Sequence, residues 1–184
     1  MLFRSGIIVK MENVARETLD LHRFLHSRNT ALVARDLCLR FDIDPQAGYL
    51  AGITHDLCKS MKDSEIISLV KTDGIKNTDI EKKKPSLLHG RAAAVLLKTH
   101  YKIDDEEVLD AVRFHVMGNA KAGHLSKIIY IADKIEFSRH WVEPELRNMR
   151  LHAGLDELYS RVFNYTVDNI NSRRADSGAH RTDL

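Results

Sequence analysis

The chain has 184 residues, of which 43% are apolar and 29% are charged, with nine glycines and three prolines. This length and composition predict one globular domain, because a chain of this size can bury a sizeable core. Glycine and proline are scarce, which favours long helices over tight hairpins. The formal net charge of +2 is too small to indicate nucleic-acid binding.

The apolar segments are also too short to indicate a membrane protein. The longest purely apolar run, Ala92 to Leu97, falls far short of the ~20 residues that cross a bilayer. Residues 1–10 lack a signal-peptide pattern, so we expect a cytoplasmic protein with neither a membrane nor a nucleic-acid partner. Cys38 and Cys58 lie within apolar helical patterns and are predicted to be buried thiols.

Apolar residues recur every three or four positions along most of the chain, and no strand alternation is found. The pattern predicts an all-α fold of about seven to nine helices in one domain, 1–184. Its core would lie at about 20–140, followed by C-terminal helices at about 145–171 and a polar tail at 172–184. The predicted helices are 11–25, 28–41, 45–59, 64–71, one from about 86, one from about 104 to 117, 124–138, 145–152 and 155–171.

Local signals set several of these boundaries. In the first helix Val14, Leu21 and Leu25 fall on one stripe, which we expect to face the core. Asp44 followed by Pro45 is a helix start, with the Asp as N-cap and the Pro in the first turn. This third helix is predicted to run to about Lys59.

A polar stretch at 73–85 is predicted to be a mobile loop. It contains the basic run Lys82 to Lys84. The simplest interpretation of this run is a solvated loop. A basic loop just before a histidine could instead close over phosphates.

Six side chains of metal-ligand type stand at positions where the helical pattern calls for apolar residues. In the second helix, for example, His26 heads a stripe that continues with Thr30 and Val33. The dipeptide His55-Asp56 lies in an apolar segment in the same way. The six residues are His26, His55, Asp56, His89, His115 and Asp133.

Each of these residues also has a purely structural interpretation. A single histidine on an apolar stripe is usually a core residue that bonds a backbone carbonyl. Asp133 is harder to explain, because an unpaired buried carboxylate costs several kcal/mol. It must be exposed, bound to a cation, or paired with Lys134 or Arg139.

Taken together, imidazoles and carboxylates form a donor set that suits iron, manganese, zinc or nickel. No cysteine is placed as a ligand, which argues against a structural zinc site. Four histidines and two aspartates suffice for two ions about 3.5–4 Å apart if one aspartate bridges them. Asp56 is the natural bridge, since its neighbour His55 can fill another position on one ion. Lys59 follows one helical turn later, so its ammonium can reach whatever the metals bind.

The remaining histidines serve as comparisons. His22 precedes His26 by one helical turn and is the one competing ligand. The other five lie in polar or helix-terminal settings and are predicted to be surface groups; they are His100, His124, His140, His152 and His180.

The order His, His-Asp, His, His, Asp, all on helices, resembles the HD-domain phosphohydrolase superfamily. Within it the chain is similar to the bacterial YqeK-type subfamily, the symmetrical bis(5′-nucleosyl)-tetraphosphatases. The resemblance covers roughly residues 20–170. It is carried by His26-Ser27, the segment Leu50 to Lys59, His89-Gly90, Phe114-His115 with Gly118, and Ile129 to Glu136.

The resemblance implies an HD-domain helical bundle that holds two divalent or trivalent ions. Iron is the first expectation, with manganese, nickel and zinc as alternatives. One ion would be held by His26, His55, Asp56 and Asp133, and the other by His89, His115 and the shared Asp56. The implied reaction is the symmetrical cleavage of diadenosine tetraphosphate to two nucleoside diphosphates by a metal-bridging hydroxide.

Position and charge also suggest roles for individual residues of this chain in the implied reaction. Asp56 and Lys59 are the expected catalytic residues, and Lys59 and Arg139 are expected to bind the polyphosphate. Two departures from the family pattern, Val116-Met117 and Phe137, leave the exact substrate open. The alternatives are an HD-type hydrolase of a nucleoside monophosphate or a signalling nucleotide, a non-catalytic nucleotide or metal sensor, and an all-α partner-binding protein. The oligomeric state is open, with a homodimer as one option.

Overall fold

A computed structural model of the chain describes residues 2–119 and 122–179. Within these residues the fold consists of ten α-helices and two 3₁₀ helices, without a strand, so the all-α prediction is confirmed. The α-helices are α1 (Leu2–Thr18), α2 (Leu21–Arg40), α3 (Pro45–Thr54), α4 (Asp63–Val70), α5 (Asp79–Lys83), α6 (His89–Thr99), α7 (Glu106–Phe114), α8 (His124–Ile135), α9 (Pro144–Asn148) and α10 (Leu155–Ala179). The 3₁₀ helices are Pro85–Leu88 and Met149–Leu151.

Helix α3 lies at the centre of the fold and packs against α1, α2, α7 and α8. Seven of its ten residues are buried, which is typical of a helix surrounded by others. Its glycines allow the close approach of α2: a Cβ on Gly52 would lie 2.5 Å from the Cα of Ala31. The predicted start of α3 is confirmed, because the Asp44 side chain accepts a hydrogen bond from the backbone N–H of Gln46 and Pro45 lies in the first turn.

The predicted boundary between the first two helices is wrong. The break lies at residues 19–20, where the Asp20 side chain caps α2, and not near residue 27. Leu21 and Leu25 therefore belong to α2 and are 73% and 44% exposed, contrary to the predicted stripe. In α1, Met11 and Ala15 are buried in the core, and Val14 of the predicted stripe packs against it while partly buried.

Helix α3 also ends earlier than predicted, at Thr54 and not at Lys59. His55, Asp56 and Lys59 lie in a series of turns, with hydrogen bonds such as Lys59 N–H to Asp56 C=O spanning three residues. Similarly, α7 ends at Phe114, before the predicted stop at residues 117–119. His55 and His115 therefore both directly follow a helix end.

The segment 73–85 is not the mobile loop that its polarity suggested. It contains α5, which a capping box begins: the Thr78 hydroxyl accepts from the Glu81 N–H, and the Glu81 carboxylate accepts from the Thr78 N–H. The Arg91 guanidinium, buried on α6, makes a bidentate salt bridge with Asp73 at 2.8 and 2.9 Å and also bonds Asn77. Buried, charge-assisted bonds of this kind hold the segment against α6.

The C-terminal part is more helical than predicted. Helix α10 continues from Leu155 to Ala179, eight residues past the expected end at 171, and packs on α8. Residues 180–184 of the predicted polar tail, and with them His180, lie outside the described residues. In the parts of the chain that the structure covers, no helix combines the length and apolar character needed to cross a bilayer.

Candidate metal centre

The structure brings all six candidate ligands together in one buried cluster. They are drawn from α2, the turn after α3, the start of α6, the turn after α7, and α8, and each is at most 6% exposed. In three overlapping triads, one ligand atom per side chain lies within 4.8 Å of the others. The triads are His26, His55 and Asp56; His55, His115 and Asp133; and Asp56, His89 and His115.

Three of the histidines are oriented by the end of the helix that directly precedes each of them. Each ring nitrogen Nδ1 lies 2.7 Å from the backbone carbonyl three residues earlier: Gly52 for His55, Ser86 for His89 and Val112 for His115. Carbonyls in the last turn of a helix lack a partner within the helix and are free to accept these bonds. The histidines thus bond backbone carbonyls, as the structural interpretation expected. Because Nδ1 donates, the Nε2 lone pair is left to face the cluster.

His26 is oriented by a carboxylate instead. Its Nδ1 lies 3.0 Å from Oε1 of Glu136, which is completely buried in the residue after α8. Its Nε2 lies 3.0 Å from Oδ1 of Asp133. Sequence reasoning did not single out Glu136, although it stands three residues after Asp133. A charged residue directly after the apolar α8 was the available signal.

The two oxygens of Asp56 face opposite halves of the cluster. Oδ1 lies 3.0 Å from Nε2 of His89 and 3.6 Å from Nε2 of His115. Oδ2 lies 3.8 Å from Nε2 of His55. A carboxylate arranged in this way has one oxygen available for each of two neighbouring ions, which is the geometry of a bridging ligand.

Asp133 is held by cationic side chains, as one interpretation of the sequence expected. Arg139 donates from Nη2 to Asp133 Oδ1 at 2.9 Å and from Nε to its backbone carbonyl at 3.1 Å. The Lys134 ammonium contacts the other carboxylate oxygen. These ion pairs satisfy a buried carboxylate that also lies within reach of two imidazoles.

Two further cationic side chains, those of Lys59 and Arg23, lie close to Asp56. The Lys59 ammonium lies 3.2 Å from Nε2 of His89 and 4.0 Å from Asp56 Oδ1. Arg23, which the sequence analysis missed, places Nη1 3.6 Å from Asp56 Oδ2. It precedes His26 by three residues and so lies on the same helix face, which was the available signal. The rim of the cluster is therefore strongly cationic.

Electrostatics give most of these groups the protonation states that metal ligands need. Burial lowers the pKa of His55 to about 3, and burial likewise lowers the pKa of His89. Burial alone would raise the pKa of Asp56, but the neighbouring imidazoles outweigh it and hold that pKa well below its usual range. Neutral imidazoles and an ionised carboxylate are the forms that bind cations.

His26 differs from the other histidines in its protonation. Burial lowers its pKa, but the hydrogen bonds to the carboxylates of Asp133 and Glu136 outweigh burial and raise the pKa to about 9. Without a cation, His26 is therefore protonated at neutral pH. A cation that binds at Nε2 must displace that proton.

A cleft of about 460 Å³ opens onto the cluster. Of the positions that depart from the family pattern, Val116 lines it. Met117 and Phe137, which are 51% and 47% exposed, are not among the described residues that form its wall. His22 lies at the mouth of the cleft and is exposed. The histidines predicted to be surface groups are exposed wherever the structure describes them, namely His100, His124, His140 and His152.

The donor set fits divalent cations. Four imidazole nitrogens and two carboxylates converge with their outer hydrogen bonds already made, and supporting hydrogen bonds of this kind are characteristic of metal-ligating histidines. Among the described residues, both cysteines are buried and lie outside the triads. The arrangement is suited to activating water and to neutralising charge on phosphoryl oxygens.

Comparison with known proteins agrees with this chemistry. Residues 23–138 match the HD domain, so the chain belongs to the HD-domain family. The all-α HD fold and the hydrolase class expected from the sequence are confirmed. The HD domain implies divalent-metal binding, and the His/Asp cluster supplies the side chains for it.

The relatives cover most of the chain. It is 34% identical over 162 residues to the symmetrical bis(5′-nucleosyl)-tetraphosphatase of Staphylococcus aureus, covering 87% of this chain and 83% of that protein. For the Halalkalibacterium halodurans protein of the same name the identity is 32% over 161 residues, covering 88% and 84%. A crystal structure from Clostridium acetobutylicum, described as a predicted HD superfamily hydrolase involved in NAD metabolism, superposes with a TM-score of 0.80 at 30% identity, covering 92% of this chain and 87% of that one.

Proposed function

We propose that the chain is a two-metal phosphohydrolase that cleaves diadenosine tetraphosphate and related dinucleoside polyphosphates symmetrically into two nucleoside diphosphates. The observation that carries the proposal is the position of Asp56, whose two oxygens face His89 and His115 on one side and His55 on the other. The names and coverage of the relatives support this choice of substrate.

The proposed ligand sets follow from this division of the cluster. Asp56 would be shared by both ions. Three residues on the α2 and α8 side would join it around one ion, and two histidines, from α6 and the turn after α7, would join it around the other. The first set is His26, His55 and Asp133, and the second is His89 and His115.

The bound ions would lower the pKa of water to supply a nucleophile and would offset the charge that develops on the phosphoryl oxygens. The protein groups around them have separate tasks. Lys59 and Arg139 line the cleft beside the carboxylates, where their N–H groups can bind the polyphosphate and hold it for attack. The leaving group is a nucleoside diphosphate, which leaves readily and reduces the need for a general acid.

We propose iron as the metal, with manganese, nickel and zinc as alternatives. A set of imidazoles and carboxylates without thiolates suits all four ions, and their supply in the cell also decides which one is bound. Metal analysis of the purified protein, done together with activity assays after reconstitution with each ion, identifies the metal. The cytoplasmic location stays a prediction.

The proposed reaction is tested with protein reconstituted with iron or manganese and supplied with diadenosine tetraphosphate. Chromatography should find ADP as the sole product, because attack at the central bridge yields two equal halves. AMP with ATP would mean asymmetrical cleavage and would contradict the proposal. So would release of inorganic phosphate from a monophosphate or a signalling nucleotide while the dinucleotide stays intact.

Two variants test the residue roles. Asp56→Asn should abolish both activity and stoichiometric metal binding, because an amide is a poor bridge between cations. Lys59→Met should lower activity at least about tenfold and leave metal content intact. Lys62→Met is the matched control, since Lys62 is an exposed lysine three residues further along the chain, directly before α4. Full activity of Asp56→Asn would refute the proposed two-metal centre.

A further inference from the structure

The cleft continues past the metal centre to a wall of a different chemical character. One end is lined by the His/Asp cluster and its cations. The other end lies between the segment after α8 and one face of α10. The residues that line this second end include Trp141, Tyr165, Thr166, Asn169 and Ile170. Aromatic and amide side chains next to a cationic site suit a ligand with a flat ring at one end and a negative charge at the other.

Trp141 is the main feature of this wall. It is 57% exposed, although an indole is among the side chains that gain most from burial. Its backbone is nevertheless fixed: the Trp141 carbonyl accepts a hydrogen bond from the Tyr165 hydroxyl at 2.8 Å, and the next residue, Val142, is buried. A rigid backbone that holds an exposed aromatic ring in a cleft is the arrangement of a stacking platform.

Arg139 connects the two ends of the cleft. Its Nη2 donates to Asp133 in the metal cluster, while its guanidinium carbon lies 5.2 Å from the centre of the Trp141 ring. The cationic site and the aromatic ring are therefore separated by a single side chain. A phosphate placed at Arg139 would bring an attached nucleoside next to the indole.

Asn169 on α10 adds hydrogen-bonding capacity to the same end. Its Nδ2 donates to the Tyr165 carbonyl at 2.9 Å, which fixes the orientation of the amide. Among the residues that the structure describes, the amide makes no other hydrogen bond, so Oδ1 and the second N–H are available to a ligand. An asparagine amide pairs with adenine at N6 and N7, whereas guanine presents two acceptors there and would oppose Oδ1.

We propose that Trp141 and Asn169 form the nucleobase subsite of this enzyme, in which Trp141 stacks on the base and Asn169 favours adenine over guanine. The inference rests on the proposed function, which supplies the nucleotide. It goes beyond that function because it assigns base recognition to residues outside the metal centre.

The test measures the affinities of ADP and of inorganic pyrophosphate for the full chain supplied with Mn²⁺, by calorimetry. Pyrophosphate has no base and should report only on the metal and cationic end. Trp141→Ala should weaken ADP at least about fivefold, the lower bound expected for base stacking on an aromatic ring, and should leave pyrophosphate within about twofold. Trp141→Phe should retain most of the ADP affinity. Trp141 is the only tryptophan in the chain, so ADP should also quench its fluorescence.

A matched control and a second variant sharpen the test. Phe137→Ala removes an exposed aromatic ring just outside the cleft and should change neither affinity. Asn169→Leu should reduce the preference for ADP over GDP at least about fivefold. Asn164→Leu, an exposed position on the same helix, should keep that preference.

The outcomes separate the base subsite from the proposed reaction. Unchanged ADP affinity in Trp141→Ala overturns the subsite. An equal loss of ADP and pyrophosphate affinity also overturns it, since the tryptophan would then act only by placing Arg139. Wild-type protein that shows the expected affinities but releases no ADP from diadenosine tetraphosphate retains the subsite and refutes the proposed reaction.

Discussion

Replacing Glu136 by glutamine should weaken metal binding although Glu136 is not one of the six candidate ligands. Its buried carboxylate accepts from His26 Nδ1 at 3.0 Å and from the Ser138 backbone N–H at 2.6 Å. Burial raises its pKa, but the hydrogen bonds from His26 and Ser138 outweigh burial and lower the pKa to about 2. The group is therefore an anion that orients the imidazole and increases its basicity.

The expected losses of stability and of metal affinity follow from the contacts that glutamine can keep. Its oxygen can still accept from His26, but its NH₂ group then faces the Ser138 N–H, and a buried donor left without an acceptor costs about 1–3 kcal/mol of stability. Loss of the carboxylate partner of a metal-bound histidine typically lowers metal affinity about 10–100-fold. That range corresponds to about 1.4–2.7 kcal/mol of binding free energy.

The assay is a competition between the protein and a chelator for Mn²⁺, with urea unfolding measured on the same samples. Glu145→Gln, the same substitution at an exposed position on α9, serves as the control and should change neither quantity. A Glu136→Gln variant that loses stability but binds Mn²⁺ with wild-type affinity would refute the reasoning, because Glu136 would then be only a structural residue.

Three further predictions concern the scaffold and its charges. Gly52→Ala should lower the unfolding free energy by about 1–3 kcal/mol and weaken metal binding, because the added Cβ forces α2 and α3 apart. Gly6→Ala, at a position with open space around it, should leave the unfolding free energy unchanged or raise it. Urea unfolding of both variants is the measurement. Arg91→Met should destabilise the protein by about 3–5 kcal/mol, because it removes the cationic partner of the Asp73 and Glu81 carboxylates. Lys98→Met, on the exposed face of the same helix, should lower the unfolding free energy by less than about 1 kcal/mol in the same assay. With metal removed, the stability that protonated His26 contributes should be fully present below its ordinary pKa of 6.5 and should be lost as the pH rises through about 9. The measurement is the difference in unfolding free energy between wild type and His26→Gln across this pH range. A difference that stays constant would contradict the prediction.

Some elements were predictable because their signals are local. The cap at Asp44, the proline after it and the buried stripe of His26, Thr30 and Val33 were all correctly predicted, since each depends on residues one or a few turns apart. The boundary between α1 and α2 was not, because both flanking segments have helical periodicity and the cap at Asp20 is a single residue. Helix α5 was missed because five residues are too short to show a period, although its capping box was present in the sequence.

The partners that lie far away in sequence could not be predicted in the same way, unlike Lys134 and Arg139 beside Asp133. Glu136 lies 110 residues from His26, and only the packing of α2 against α8 brings the two together. The Tyr165 hydroxyl on α10 meets the Trp141 carbonyl through a similar long-range contact. Periodicity identifies the buried face of a helix, but it does not identify the helix that covers that face.

The amino-acid sequence alone determined the helical fold class, the family resemblance and the identities of the six candidate ligands, because residue types and their spacing are local properties. Only the tertiary structure decided that the two oxygens of Asp56 face separate histidines, that helix ends orient three imidazoles, and that the cleft ends at an exposed indole. These features depend on which helices pack together and at what angle. Packing is a sum of many weak contacts between distant segments, and no short stretch of sequence records it.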